Sequence, residues 1–141
     1  MSVGYILDTN VISEVRKPRG NAQVKEWVSA APGPTLYLSV MSVGEIRSGV
    51  EQRRKTDSQQ ALVLERWLAR LLQSFQDRVI PITEEIAQEW GRMRCLRPLP
   101  TSDALIAATA KVHGWSVVTR NVKDFADTGV TVINPFDWPT G

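Results

Sequence analysis

Cysteine and histidine are almost missing: Cys95 and His113 are the only ones in 141 residues. A lone cysteine cannot close an intrachain disulfide, and one residue of each kind cannot build a Cys/His zinc set. No stretch of about 18 consecutive apolar residues occurs, so the sequence offers no membrane span. Met1 to Leu7 is too short and too little apolar for a secretory signal, and a cytoplasmic protein is expected. No glycine-rich segment ends in Lys-Ser or Lys-Thr, which excludes a P-loop nucleotide hydrolase. A strong excess of one charge is missing too, since seventeen Lys/Arg against fifteen Asp/Glu leave a formal +2. That is far milder than the basic stripe of a dedicated nucleic-acid binder. The basic residues do cluster, at Arg16, Lys17 and Arg19, at Arg53 to Lys55, at Arg92, Arg94 and Arg97, and at Arg120 and Lys123. Each cluster reads first as solvated surface.

What is present describes an ordered globular chain, 43% hydrophobic and 23% charged. Its length suits one domain, residues 1–141, able to bury a core without disulfide or metal support. Val3 to Leu7 is a short apolar run of strand formers that stops at Asp8-Thr9-Asn10, residues that favour turns and helix caps. Helical spacing recurs over Asn21 to Ala30 and, after a brief strand at Leu36 to Leu38 and a cap at Ser39, through Val40, Val43, Ile46 and Val50. The longest helix is expected from Asp57 to Phe75, where Leu64, Trp67, Leu68, Leu71, Leu72 and Phe75 form one stripe. Val79-Ile80-Pro81-Ile82 reads as an edge strand, because proline cannot donate to a ladder. Thr83 then caps a helix that opens with Glu84 and Glu85 and runs to Leu96. Thr101 and Ser102 offer caps for a helix from Asp103 to His113, closed by Gly114. Strands follow at Trp115 to Thr119 and Val130 to Ile133. Strands alternating with helices predict a three-layer α/β/α sandwich around a mainly parallel sheet. Ligand crevices in such sheets lie beyond the carboxyl ends of the strands.

Four acids are aimed at that end: Asp8 directly after the first strand, Glu45 in the helix after the second, Asp103 at a helix start, and Asp124 in the loop after the Trp115 strand. Each has an ordinary alternative, since Asp8 can cap a helix, Asp103 can complement a helix dipole, and Glu45 and Asp124 can be solvated charges. The surroundings weigh against it. Asp103 heads an alanine-rich helix that looks buried, and Glu45 adjoins Val43 and Ile46, where an unpaired carboxylate is costly. Carboxylates gathered at one point favour a hard cation, and all-oxygen donors point to Mg²⁺ or Mn²⁺ rather than zinc or copper. The chemistry that suits such a site is displacement at phosphorus.

Asp8-Thr9-Asn10, Ser42-Val43-Gly44-Glu45-Ile46, the helix start Asp103 to Ala110, and Thr119-Arg120-Asn121-Val122-Lys123-Asp124-Phe125 resemble, in that order, the motifs of PIN-domain ribonucleases. The likeness is nearer to VapC toxins of bacterial toxin–antitoxin pairs and, within them, to the FitB-like branch. It spans Val3 to Asn134. The resemblance implies a Mg²⁺-dependent endoribonuclease with Asp8 and Asp103 as direct metal ligands and Glu45 completing the acidic pocket. Asp124 matches the family's fourth acidic position, the one most often varied. Asn10, Thr119 and Asn121 look like supporting polar residues that hydrogen-bond carboxylates or phosphate, although turn chemistry suits them equally. The resemblance also implies a small DNA-binding antitoxin of the VapB or FitA kind as partner, and a homodimer. The dimer is further suggested by the stripe from Leu64 to Phe75, more apolar surface than a small sheet easily covers.

A doubly wound phosphatase would also place an acid after the first strand, but with a companion acid that Asp8-Thr9-Asn10 lacks. A PIN-fold module that binds nucleic acid or protein without cutting is the alternative from another class. Trp27, Trp67, Trp90 and Trp115 read as core rather than stacking platforms. Cys95 reads as buried or partly buried, and His113 as a complement to a helix dipole.

Overall fold

The computed structural model describes residues 3–96 and 98–138; Arg97 of the third basic cluster lies outside the described residues. Five strands, β1 (Tyr5–Leu7), β2 (Leu36–Ser39), β3 (Val79–Ile80), β4 (Ser116–Val118) and β5 (Val132–Ile133), form a sheet ordered β3-β2-β1-β4-β5. Every pairing is parallel. Because β2 and β3 lie on one side of β1 and β4 and β5 on the other, the order reverses beside β1. The end of β1 is therefore where a ligand crevice belongs.

Alternation along the strands sends neighbours to opposite layers. Leu7 and Val118 pack with Val11, Val24, Trp27 and Leu68 on one face, whereas Ile6 and Val117 pack with Ile86, Ile106 and Ala107 on the other. The first layer is built by α1 (Thr9–Arg16), α2 (Ala22–Ala30), α3 (Val40–Arg54) and α4 (Ser58–Phe75). The second is built by α5 (Glu84–Arg94) and α6 (Thr101–His113). Helix α4 turns its predicted stripe inward: Leu68 is buried, and Trp67, Leu71, Leu72 and Phe75 pack on the core. Its exposed apolar residues are Leu62 and Val63, off that stripe. The stripe is thus largely used within the chain, which weakens it as an argument for a dimer.

Ser39 and Thr83 cap α3 and α5 as expected, each accepting a hydrogen bond from a backbone N–H in the turn it caps. Asn21 and Asp57, read as the first residues of their helical stretches, do the same for α2 and α4. Gly114 ends α6 at φ 72°, a left-handed conformation that a side chain would strain. Three expectations need correction. Helix α6 starts at Thr101, with Pro100 as its cap residue and no side-chain cap, because proline pre-sets the extended entry; Thr101, Ser102 and Asp103 form its first turn. Helix α5 stops at Arg94, so Cys95 falls in the following turn and is exposed rather than buried. Pro81 and Ile82 lie beyond β3, which ends at Ile80.

At the amino end of the sheet, the indole of Trp115 lies between Tyr37, 3.8 Å away, and His113, 4.2 Å away. It rests on Gly4, where a Cβ would overlap the ring. On the outer surface, Arg47 reaches Glu65 at 2.8 Å and Glu51 at 3.2 Å, and Arg54 reaches Glu65 at 3.0 Å, tying α3 to α4. No helix among the described residues is long and apolar enough to cross a membrane.

Candidate active site

Asp8 sits where β1 stops. Its backbone N–H still continues the sheet, donating to Val118 O at 2.9 Å, while its carbonyl accepts the first bonds of α1. This junction leaves the carboxyl buried, only 4% exposed, at the switch point of the sheet. Burial pushes its pKa up, opposed by the hydrogen bonds it accepts and reinforced by the charges of Glu45 and Asp124. Oδ1 accepts from Thr9 N at 2.7 Å, and Oδ2 accepts from Thr119 Oγ1 at 2.7 Å and Asn10 Nδ2 at 3.2 Å. Thr119, wholly buried after β4, in turn accepts from the backbone N–H of Asn121 at 2.9 Å. A hydroxyl has one hydrogen, and the Asn121 bond to the oxygen leaves that hydrogen for Asp8. Asn121 therefore enters the network through its main chain; its side chain is exposed.

Glu45 projects from the second turn of α3 and is exposed. Thr9 Oγ1 lies 2.7 Å from Glu45 Oε1 and 2.9 Å from Ser42 Oγ. The carboxylate can only accept, so the Thr9 hydrogen serves it and Ser42 donates to Thr9. Asp103, in the first turn of α6, differs from both. Among the described residues nothing donates a hydrogen bond to its carboxylate, and its pKa is pushed up to about 6 by burial and then by Asp8, Asp124 and Glu45 in that order. Asp124 completes the set from a short 3₁₀ turn, Val122–Phe125, after β4.

The fold thus brings all four predicted acids into one another's field, together with Asn10 and Thr119. Among the described residues none of the four forms an ion pair, whereas Glu14, Glu51, Glu65 and Glu89 all do. Uncompensated negative charge on hard oxygens suits a hard divalent cation. No group of three or more acidic, histidine or cysteine side chains among the described residues is placed to hold a metal ion by itself. Mg²⁺ does not need one, because it is commonly held by one or two carboxylates with water and substrate phosphate filling the octahedron. The donor set fits that ion.

Two residues quoted within the motifs but given no role from the sequence take part in this arrangement: Thr9, which links the start of α1 to α3, and Ser42. The signal was present in the spacing, since Ser42 precedes Glu45 by three and shares its helix face. Beside the acids, Arg120, Lys123, Asn134 and Asp137 help to line an open hollow of about 610 Å³. A second, apolar groove of about 90 Å³ runs between α1, α2 and α4, lined by Leu7, Ile12, Val15, Val28, Trp67 and Leu71.

Comparison with known proteins agrees with this geometry. Residues 5–130 match the family model of the PIN domain. The chain is 36% identical over 137 residues to the plasmid stability protein StbB of Pseudomonas syringae pv. tomato, covering 94% of this chain and 98% of that protein. It is 34% identical over 136 residues to the toxin FitB of Neisseria gonorrhoeae, covering 93% and 97%. Among solved structures, FitAcB from Neisseria gonorrhoeae superposes with a TM-score of 0.87 at 33% identity, covering 94% of this chain and 99% of that one. With the acids at the switch point and this match along nearly its whole length, the chain belongs to the PIN-domain family, in its VapC/FitB-type branch.

Proposed function

We infer that the chain, read as a single PIN domain over residues 1–141, is a Mg²⁺-dependent endoribonuclease that hydrolyses phosphodiester bonds in RNA and acts as the toxin of a type II toxin–antitoxin pair. The observation that carries the reading is a set of four mutually repelling carboxylates, without counter-ions among the described residues, at the reversal point of a parallel sheet. Asp8 and Asp103 are the residues that would hold Mg²⁺, or Mn²⁺ in its place, with Glu45 and Asp124 completing the pocket. When bound, the ion supplies positive charge to phosphoryl oxygens and makes water a stronger nucleophile at neutral pH.

The chain's own contribution is preorganisation. Thr119, Asn10 and the Thr9 N–H fix the Asp8 carboxylate in direction, so that it does not have to reorient as charge accumulates in front of it. Thr9 holds Glu45 toward the same place. Asp103, whose carboxylate accepts no hydrogen bond among the described residues, is free to aim at a cation, whose charge would oppose the burial and neighbouring acids that make it hold its proton more tightly. The test is cleavage of single-stranded RNA by the purified, partner-free protein, with Mg²⁺ or Mn²⁺ required. Cutting that survives chelation would overturn the metal, and no cutting with either ion would leave a binding module.

A small DNA-binding antitoxin of the VapB or FitA kind silences the enzyme in this reading. The relatives named as toxins support it, and the apolar groove between α1, α2 and α4 supplies a seat for an apolar segment beside the acids. An arginine carried on that segment can fork across two carboxylates and exclude the metal. Co-expression with the neighbouring small reading frame should give a stable complex without nuclease activity; a fully active complex would refute the blocking mechanism. A homodimer in the cytoplasm is the expected form, checked by sedimentation at micromolar concentration.

A further inference from the structure

Two cations beside the acids form no ion pair among the described residues, although carboxylates line the same hollow. Arg120 and Lys123 line the open hollow together with Asp124 and Asp137, and Arg120 is close enough to Glu14 to help draw its pKa down. Among the described residues, neither cation forms an ion pair. By contrast Arg47, Arg54 and Arg92 all do. Arg120 instead carries its guanidinium over the ring of Phe136, 4.8 Å from the centroid, and its backbone N–H donates to Asn10 Oδ1 at 3.4 Å. Asn10 is the residue that also bonds Asp8. The Arg120 backbone is therefore tied to the acidic centre, and its side chain lies against an aromatic ring, with Glu14 near but no carboxylate in an ion pair with it among the described residues. A guanidinium without a close partner is suited to an anion that arrives from outside.

The far side of the hollow has a different character. Asn134 Nδ2 donates to Asp137 Oδ2 at 3.1 Å, and Asn134 Oδ1 accepts from Phe136 N at 3.0 Å, so the Asp137 carboxylate is oriented by an amide that the backbone holds in place. A carboxylate repels phosphate but accepts well from the amino group of a base. Resting on the ribonuclease reading above, we propose that this hollow is a nucleotide subsite for single-stranded RNA. In it, Arg120 and Lys123 hold a backbone phosphate next to the scissile one, and Asp137 selects a base that carries an exocyclic amino group over uracil.

Binding can be measured apart from cutting, by anisotropy of fluorescein-labelled RNA pentamers on an Asp103→Asn background with Mg²⁺ present. Arg120→Ala combined with Lys123→Ala should weaken binding about tenfold or more and lower the salt slope by about 1.4, two phosphate contacts at about 0.7 each for single strands. Arg53→Ala, an exposed cation on α3, serves as the control and should change neither. Arg120→Lys should restore part of the loss, which separates charge from damage to the loop. Asp137→Asn should erase a preference for oligo-C over oligo-U while leaving the salt slope alone. Equal losses in the Arg53→Ala and double variants would overturn the subsite, as would oligo-glutamate of equal charge binding as tightly as RNA. If the double variant binds like its parent while the wild-type chain cuts RNA, the subsite fails and the nuclease stands. If RNA binding depends on Arg120 and Lys123 but the wild-type chain never cuts, the subsite stands and the nuclease fails.

Discussion

The α3–α4 surface and the carboxyl end of the sheet both gather charges, and they treat them in opposite ways. On the surface Arg47, Glu51, Arg54 and Glu65 neutralise one another: Arg47 draws the Glu65 carboxyl below its usual range, and Glu65 holds the Arg47 proton more tightly. At the sheet end burial and the neighbouring acids make Asp8 and Asp103 hold their protons more tightly, and among the described residues none of the four acids forms an ion pair. The first arrangement is complete as it stands and contributes little to stability, because exposed pairs exchange one solvated state for another. The second is incomplete and costs stability until something positive arrives. The difference separates charges that decorate a fold from charges that the fold holds ready for use.

The largest effect that would break this contrast is catalytic. Asp8→Asn or Asp103→Asn should lower RNA cleavage more than about a hundredfold, the least expected from losing a direct ligand. Circular dichroism should be unchanged. Retention of full activity in the double variant would place the acids with the decorative kind. Next comes Thr119→Val, close in shape but unable to donate to Asp8. Removing that bond takes away the largest of the hydrogen bonds that oppose burial, so Asp8 should bind protons more tightly and metal about 10–100-fold more weakly, as read by titration calorimetry.

A smaller effect concerns stability without metal. Asp103 has a folded pKa of about 6 against an ordinary 3.8, so folding carries its penalty in full above pH 6. As pH falls from 6 toward 4 the folded state takes up the proton first, and the metal-free chain gains stability relative to higher pH. Asp103→Asn should therefore be more stable than the parent at pH 7.5 in chelator by about 1 kcal/mol after solvent screening, or about 2–4 °C in melting temperature. That advantage should shrink below pH 6 and vanish near pH 4. An advantage independent of pH would show that packing, not charge, is responsible. The smallest effect belongs to the surface: Arg47→Ala should shift the melting temperature less than Asp103→Asn does, and 0.5 M salt should remove the shift.

Much of this contrast was legible before the coordinates. A five-residue apolar run ended by Asp-Thr-Asn has few alternatives to a buried strand entering a helix, and the switch-point rule then locates Asp8. Thr83-Glu84-Glu85 announces α5 through both cap and dipole. Local rules failed where two neighbours competed for one job. Thr101 and Ser102 are better cap residues than Pro100, yet proline's fixed φ makes the entry and turns both into first-turn residues. The Trp115 site was harder, because its stacking partner Tyr37 is brought there by β2 and the space beneath it by Gly4. The link from Thr9 to Glu45 spans 36 positions and depends on how α3 packs, which no periodicity encodes. The unpaired state of Arg120 was hidden for the same reason, since pairing is a property of distances.

The hydrogen bond between Thr119 and Asp8 joins residues 111 apart. Its consequence is temporal. A ribosome adds about 5–20 residues each second, so the first strand and its carboxylate exist for several seconds before the threonine that steadies them is made. During that interval β1 lacks β4 as a neighbour, Asp8 lacks its strongest donor, and neither Asp103 nor Asp124 has been placed. The carboxylate set is thus assembled late, and Asp8 takes up its full set of donors only when β4 is laid beside β1.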